Sequence, residues 1–350
     1  MTRALTIFLT ALLFLIIGCS PQKRETVVLK TVQIEPILEL DSLRPKVDVN
    51  QSLLYHVGNV LEIDDDKNLY FLDTPRHRIM KYTMGGKFVT QIGSIGQDDE
   101  SLYYPSGIAI DLGILYILDQ EGRRIKLFTL DGDFISGFQI HDAYGAESIS
   151  VKDSKVFASV KYNNKESNQN KLVSVFNSEG NRIDEFLSLI ETVSFPAHVM
   201  FNKVVLFSRD SAIYSGHKFF PILRRYDLKN RREWIKDLLE ANIDEIHGIY
   251  EEGKRRSVDQ PNSIKEEDGV FAMNYCTGLA VGVDGFIYYA LNYDRSMKGM
   301  VLKFDTKGDL LEKMSFLYHD KLLSVRNLYM RGNDVYIIGG FNDTLYLFKI

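Results

Sequence analysis

Apolar residues along this chain fall into short blocks, in which they alternate with polar residues or run together. Gly, Asp or Asn separates one block from the next, as is typical of β-strands joined by tight turns. The stretch that begins at Gly107 shows the pattern most clearly and predicts four strands, with the sequences GIAID, ILYILD, RIKLFTL and DFISGFQ.

The same four-strand unit recurs, and each copy carries an aromatic residue near the end of its third strand. These aromatic residues are Tyr82, Phe128, Phe176, Tyr226, Phe304 and Phe348. Their residue numbers differ successively by 46, 48, 50, 78 and 44. Four strands in about 45 residues match one blade of a β-propeller, and six copies predict six blades.

A second feature of the repeat lies four residues after five of these aromatics. The residues at this position are Gly86, Gly132, Gly180, Asn230 and Gly308. Glycine, and less readily asparagine, tolerates a positive φ angle. A tight hairpin turn with a positive φ is therefore predicted at each of the five positions.

These patterns predict an all-β fold, a six-bladed β-propeller of four-stranded antiparallel blades. The last copy stops at Ile350, after its third strand. At the other end, the segment Thr26–Glu35 has the composition of a strand but no blade of its own. We expect this segment to be the outer strand of the last blade, which joins the two ends of the ring and covers an exposed sheet edge.

The stretch GQDDESLYYPSGIAIDLGILYILDQEGRRIKLFTLDGDFI resembles an NHL-type repeat, and DTPRHRIMKYTMGGKFVTQIG, from Asp73, matches the same pattern. Beyond residue 18 the chain resembles the six-bladed propeller lipoproteins common in Bacteroidetes, described as NHL-like or TolB-like. The match is close in the first two blades, looser in blades three, five and six, and poor in blade four. The resemblance implies the propeller fold but no chemistry, because propellers host lyases, esterases, carbohydrate-binding modules and scaffolds.

The N-terminus has the pattern of a secretory signal peptide. One Arg precedes an apolar run from Ala4 to Ile17, which is shorter than the roughly 20 residues of a membrane span. The sequence LIIGC resembles a bacterial lipobox, and this resemblance implies that Cys19 is lipidated. A plain signal peptide with an incidental cysteine and a single-pass anchor are the alternatives. The predicted division is a lipoprotein signal peptide at 1–18, a tether at 19–26 and one propeller at 27–350.

The residues after Cys19 bear on location. They lack the Asp associated with inner-membrane retention and the acidic cluster that resembles a surface-export signal. We therefore expect an outer-membrane lipoprotein that faces the periplasm. The formal net charge of −5 gives no support to a nucleic-acid partner.

The interval of 78 residues between Tyr226 and Phe304 indicates an insertion at residues 240–275, between the outer strand of blade four and the inner strand of blade five. Such connections lie on the face where the inner strands begin, and long loops there often carry function. A solvated insertion without a role is the alternative. Its charged runs, EEGKRR and KEED, are more typical of a solvated surface than of a ligand site.

Alignment on Ser106, which opens the inner strand of blade two, predicts the residues around the mouth of the central channel. The candidate ligand-binding residues are Asn59, Glu147, His198, Arg326 and Asn327. This set suits a small anionic or polyhydroxylated ligand or the end of a peptide. The alternative is a solvated rim around a water-filled channel.

No catalytic set, metal site or cofactor is predicted. A zinc lyase needs about three histidines from several blades, but only His198 falls on an inner strand. The acidic sequence DDDKN lacks the Gly and Glu of an EF-hand, since Leu69 and Pro75 occupy those positions. Cys276 lies near the mouth with no histidine beside it, which favours a bystander over a nucleophile.

Two functions therefore remain as hypotheses. The first is a non-enzymatic binding or scaffold lipoprotein, held at the membrane by its lipid and presenting a face to a protein, peptide or glycan. The alternative is a hydrolase or lyase, with or without a metal, that acts at the channel mouth through His198, Glu147 and Arg326.

Overall fold

The computed structural model describes residues 27–48, 60–96, 98–140, 146–159, 171–190, 202–241, 243–258, 274–292, 299–341 and 344–350. Two strands precede the first blade, β1 (Leu29–Gln33) and β2 (Pro36–Glu39). Short 3-10 helices occupy Leu40–Ser42 and Thr74–Arg76.

Six antiparallel blades follow in chain order. Blade one has β3 (Leu61–Ile63), β4 (Asn68–Asp73), β5 (Arg78–Thr83) and β6 (Phe88–Ile92). Blade two has β7 (Pro105–Asp111), β8 (Ile114–Asp119), β9 (Arg124–Thr129) and β10 (Phe134–Gln139). Blade three has β11 (Ile149–Lys152), β12 (Lys155–Ser159), β13 (Lys171–Phe176) and β14 (Arg182–Ser188).

The remaining blades have the same order. Blade four has β15 (Val204–Arg209), β16 (Ala212–His217), β17 (Ile222–Asp227) and β18 (Arg232–Asp237). Blade five has β19 (Cys276–Val281), β20 (Ile287–Asn292), β21 (Gly299–Phe304) and β22 (Leu310–Tyr318), with β23 (Lys321–Leu322) paired to β22. Blade six has β24 (Ser324–Arg331), β25 (Asp334–Phe341) and β26 (Thr344–Lys349). The predicted six-bladed propeller is confirmed.

Burial differs between the middle and outer strands, and this explains the two kinds of apolar block. The middle strands have both faces covered by neighbouring blades, so β8 reads ILYILD and is buried along most of its length. The outer strands face solvent on one side and alternate. Ile135, Ile183 and Ile235 are accordingly exposed.

The repeat aromatics are buried in all six blades. The glycines after them take the predicted positive φ, at Gly86 (81°), Gly132 (104°), Gly180 (82°) and Gly308 (81°). In blade four the prediction is wrong by one residue, because the positive φ falls on Arg231 (52°) rather than Asn230. There Asp227 pairs with Arg232 without the bulge that the other blades have opposite the aromatic, so the turn is one residue longer.

The Asp and Arg of the repeat join the second and third strands of a blade. Asp73, at the end of β4, is fully buried and accepts a hydrogen bond from Arg78 Nε at 2.8 Å. In blade two, Asp119 accepts the Tyr103 N–H at 2.6 Å and lies 3.8 Å from the Lys126 ammonium. Burial raises the pKa of Asp119 to about 6, against the opposing effects of these partners.

An N-terminal strand closes the last blade, as predicted, but the strand is not Thr26–Glu35. Strand β2 pairs antiparallel with β26 and completes blade six. The preceding strand β1 instead pairs parallel with β22, with Leu29 opposite Lys313, as a fifth main strand of blade five. Proline has no N–H to donate and suits a strand end, so Pro36 begins the new pairing.

The segment after β2 connects blade six to blade one. A Cβ atom added to Gly86, in a turn of blade one, would lie 2.8 Å from Leu38 Cδ1 and 3.6 Å from a methyl of Leu43. Leu40 and Leu43 are buried with the core residues of blade one. The innermost strands β3, β7, β11, β15, β19 and β24 contact one another in sequence, and β24 contacts β3. The ring is therefore closed.

One α-helix, α1 (Asp244–Val258), occupies part of the predicted insertion. Ile246 and Ile249 are buried against Leu238 and Tyr275, in the core shared by blades four and five. Glu245 also forms an ion pair with Lys313 of β22 at 3.0 Å. The insertion is thus partly a packed helix, while residues 259–273 lie outside the described part. Within the described ranges, no helix is long and apolar enough to cross a lipid bilayer.

Candidate functional site at the channel mouth

Three inner strands begin with a β-bulge at equivalent positions. In blade two the pairing passes from Pro105 with Asp119 to Gly107 with Leu118, which leaves Ser106 as the extra residue. Thr277 in blade five and Arg326 in blade six are the extra residues of the same irregularity. Bulges redirect side chains, and here they do so where the inner strands open. Arg326 is half-buried at this end of the channel.

Glu147 lies two residues before the inner strand of blade three. Its carboxylate forms an ion pair with Lys203 of blade four, with 2.8 Å between Oε1 and Nζ. The N–H groups of Glu147 and Ser148 donate to Ser159 Oγ at 3.3 and 2.9 Å. The Glu147 side chain is 10% exposed. The hydrogen bonds to Ser159 hold its backbone, and the ion pair with Lys203 joins blade three to blade four.

Lys218 places a second ammonium group near Lys203 and Glu147. Its N–H donates to the Lys203 carbonyl at 2.9 Å, and its own carbonyl accepts the Tyr275 N–H at 2.7 Å. Burial lowers the pKa of Lys218, and the charge of Lys203 lowers it further, while Glu147 acts in the opposite direction. We call Glu147, Lys203 and Lys218 the lysine cluster. It carries two positive charges against one negative charge.

The other predicted residues have different positions. Asn327 is buried, and its side-chain oxygen accepts the Leu328 N–H at 2.8 Å. A Cβ added to Gly278 would lie 2.6 Å from that oxygen, so the Asn327 amide occupies the contact between blades five and six. Asn59, His198 and Cys19 lie outside the described residues.

Sequence reasoning missed Lys203 and Lys218 because it placed the start of the blade-four inner strand too early. The alignment put Ala197 and His198 there, but the strand begins at Val204. The run HVMF before Asn202 is as apolar as VVLF after it, and short apolar runs are ambiguous by pattern alone. Lys203, which directly precedes VVLF, was the sequence feature that could have indicated the cluster.

Cys276 is fully buried at the blade-five edge of the mouth. Its thiol donates to the Gly278 carbonyl at 3.5 Å, and its sulfur lies against Gly216 of blade four, where an added Cβ would overlap it. Burial raises the pKa of the Cys276 thiol to about 12. This geometry fits a packing role better than a nucleophile, which needs accessible thiolate.

We expect Cys276 to be almost unreactive toward a thiol reagent in the folded protein. At pH 8 a thiol with a pKa of about 12 is ionised in roughly one molecule in ten thousand. A Cys19→Ser chain should therefore react at least about 1,000-fold more slowly when folded than in guanidinium chloride. A Leu112→Cys variant, at a position 74% exposed, is the control that should react within minutes. Equal rates for the two cysteines in the folded state would contradict the prediction.

The acidic turn of blade one is occupied by its own hydrogen bonds. The Asp64 carboxylate accepts the Asn68 N–H at 2.7 Å, the Asn68 amide at 2.9 Å and the Tyr70 hydroxyl at 3.0 Å. Its role is to hold the turn. Elsewhere in the described ranges, no three His, Cys, Asp or Glu side chains are grouped so that they could hold a metal ion.

Comparison with known proteins identifies the family. A family model described as a 6-bladed beta-propeller matches residues 49–244, which is more than half of the chain. The chain belongs to this propeller family. None of the curated proteins matches it.

Solved structures with the same fold are distant in sequence. A Bacteroides fragilis protein described as exported is 14% identical, with a TM-score of 0.52 over 92% of this chain and 99% of that chain. Virginiamycin B lyase from Staphylococcus aureus is 13% identical, with a TM-score of 0.50 over 83% and 79%. The protein U3-55K is 9% identical, with a TM-score of 0.50 over 79% and 73%. At these identities the likeness is one of fold alone.

Proposed function

We propose that this chain is a lipid-anchored propeller of the cell envelope that binds an anionic group of its ligand at the channel mouth. The observation that carries the proposal is the lysine cluster, in which Lys203 forms an ion pair with Glu147 and Lys218 lies near enough for both of these charges to affect its pKa. The proposal is of a binding protein, and its partner is a peptide, protein or glycan that bears a carboxylate or phosphate.

The electrostatics of the cluster support an anionic ligand. A buried ammonium is costly unless a negative charge or hydrogen-bond acceptors compensate it, and the lowered pKa of Lys218 reflects this cost. A ligand carboxylate or phosphate beside Lys218 would remove it by a charge-assisted hydrogen bond. The bulge residue Arg326 adds a further positive charge at the same end of the channel.

The proposed location rests on the N-terminal sequence. The apolar run before Cys19 and the sequence LIIGC support export and lipidation, and a fold neighbour from Bacteroides fragilis is itself described as exported. The absence of an acidic residue directly after Cys19 supports the outer membrane, with the propeller in the periplasm. The lipid anchor would then attach the protein to the membrane, which is its first proposed binding partner.

A titration with small anions tests the mouth. We expect inorganic phosphate, glucuronate or a tri-alanine carboxylate to raise the melting temperature of the protein, while neutral glucose does not. Lys218→Gln should weaken that binding about 10- to 100-fold, because a hydrogen bond to a charged group contributes about 1.5–3 kcal/mol. Lys307→Gln, in an exposed turn at the other end of the propeller, is the matched control and should leave binding unchanged. Failure of every anion to bind, or equal losses in the two variants, would contradict the proposal.

Measurements of turnover and of metal content separate binding from catalysis. A hydrolase or lyase at this mouth would convert its ligand and would lose turnover in His198→Ala. Metal analysis of the purified protein, with that variant as the control, tests the metal-dependent form of this alternative. Binding without turnover supports the role of a binding protein.

A further inference from the structure

The direction of β1 determines the end of the propeller from which the N-terminal segment leaves. In blades one to five, the turns between strands one and two and between strands three and four lie at one end of the propeller, which we call the turn face. The inner strands open at the other end, the mouth face. Because β1 is parallel to β22, its first residue Leu29 lies toward the turn face and Gln33 toward the mouth face. The chain therefore enters β1 at the turn face of blade five.

The length of the proposed tether reinforces this orientation. The eight peptide steps from Cys19 to Val27 span at most about 29 Å when fully extended. Val27 precedes Leu29 by two residues, so the register of Leu29 with Lys313 puts it level with Leu311, seven residues before Tyr318. A return from that level to the mouth face takes about 23 Å at roughly 3.3 Å per residue. A mouth turned toward the membrane would leave the tether almost no slack, whereas the turn face is reached directly.

Exposed apolar side chains lie at the same end of blade five. Val28 is 80% exposed, Val283 54% and Leu311 41%. Val283 belongs to the turn after β19, and Leu311 follows the turn after β21. These two turns touch, since a Cβ on Gly285 would lie 2.7 Å from the Thr306 methyl.

We propose that the turn face of blade five, at Val28, Val283 and Leu311, rests on the lipid surface. The channel mouth with its lysine cluster then points away from the membrane, toward the aqueous compartment. This inference rests on the proposed lipidation of Cys19. The acyl chains supply the affinity. Three exposed apolar side chains beside the start of β1 supply the orientation.

Two matched cysteine variants test the orientation. Lys307→Cys replaces an exposed lysine in the turn before β22, and Lys321→Cys replaces an exposed lysine at the start of β23, just after the turn that follows β22. The two positions therefore lie toward opposite ends of β22. Each lipidated full-length chain carries a fluorophore on the new cysteine and is placed in phosphatidylethanolamine and phosphatidylglycerol vesicles with a headgroup-attached quencher. We expect at least about 3-fold stronger quenching at position 307 than at position 321. Replacing Val28, Val283 and Leu311 together by Ser should reduce this ratio while the protein still floats with the vesicles.

The outcomes separate the orientation from the anchor. Equal quenching at both positions, or stronger quenching at 321, in a chain that floats with vesicles would overturn the orientation alone. A wild-type chain that does not float, or a Cys19→Ala chain that floats equally well, would overturn the lipid anchor and the orientation with it. An unchanged ratio in the triple Ser variant would show that the apolar side chains are not in the contact and would overturn that surface.

Discussion

Replacing Leu43 by Ala should lower the free energy of unfolding by about 2–5 kcal/mol, the range for truncation of a buried leucine. Leu43 is 1% exposed and packs with the core of blade one, beside the Gly86 turn, at the junction that closes the ring. Loss of this contact weakens the connection between the first and last blades. Urea unfolding, followed by tryptophan fluorescence and circular dichroism, measures the change.

Leu29→Ala is the matched control, because it truncates the same side chain in the other N-terminal strand. Leu29 is 38% exposed on β1, and its loss should cost less than about 1 kcal/mol. Deletion of residues 27–34 should cost more than this single truncation, because Val32 and Ile34 pack on the core of blades five and six, but it should leave the ring closed. Deletion of 27–43 should unfold the ring. Equal costs for Leu29→Ala and Leu43→Ala would mean that β1, rather than β2 and the segment after it, holds the propeller closed.

Gly299→Ala should lower the free energy of unfolding by about 2–4 kcal/mol. A Cβ at Gly299 would overlap the backbone nitrogen of Val325, so the first residue of β21 and the inner strand of blade six must move apart. Backbone cannot yield as a flexible side chain does, and overpacking of this kind is costly. Thermal and urea unfolding of the variant measure the loss.

The same substitution at Gly248 should change the free energy of unfolding in the opposite direction. Gly248 is exposed in the middle of α1, and nothing lies within 4 Å of an added Cβ. Alanine is a better helix former than glycine, so this variant should be more stable by about 0.5–1 kcal/mol. A destabilised Gly248→Ala, or a neutral Gly299→Ala, would show that the two glycines have been assigned the wrong roles.

The fold was predictable because each repeat contains the residues that determine its own strands and turns. An aromatic that ends the third strand and a glycine that accepts a positive φ in the next turn are readable in one sequence, and four of the five turns follow them. Blade four departs because Asp227 pairs directly with Arg232. Its carboxylate also accepts the N–H groups of Lys229 and Asn230, which stabilises a different turn.

The closing strand was predictable in kind but not in position. Residues 26–35 and 36–39 are both apolar enough to form strands, and the choice between them depends on which distant sheet edge each one meets. Those edges, β22 and β26, are more than 270 residues away along the chain. No local pattern contains that information. Pro36 was the one local indication of a break between the two strands.

The helix α1 had a readable pattern that the strand repeat obscured. Ile243, Ile246 and Ile249 recur at a spacing of three residues, which places them on one side of a helix. The charged runs EEGKRR and KEED, which follow them, favoured a solvated surface instead. The lysine cluster was less accessible to sequence reasoning, since it joins side chains from blades three and four whose register depends on where β15 begins.

The two N-terminal strands have a mechanical consequence. Any load applied through the residues before Val27 reaches β1 first, and it runs along the direction in which β1 lies against β22. Five residue pairs must then slide past one another together, rather than open one at a time. Only after they part would force reach β2 and the junction of blades six and one. Strand β1 therefore bears a load on the N-terminus before the junction of blades six and one does, and its pairing with β22 protects that junction from the load.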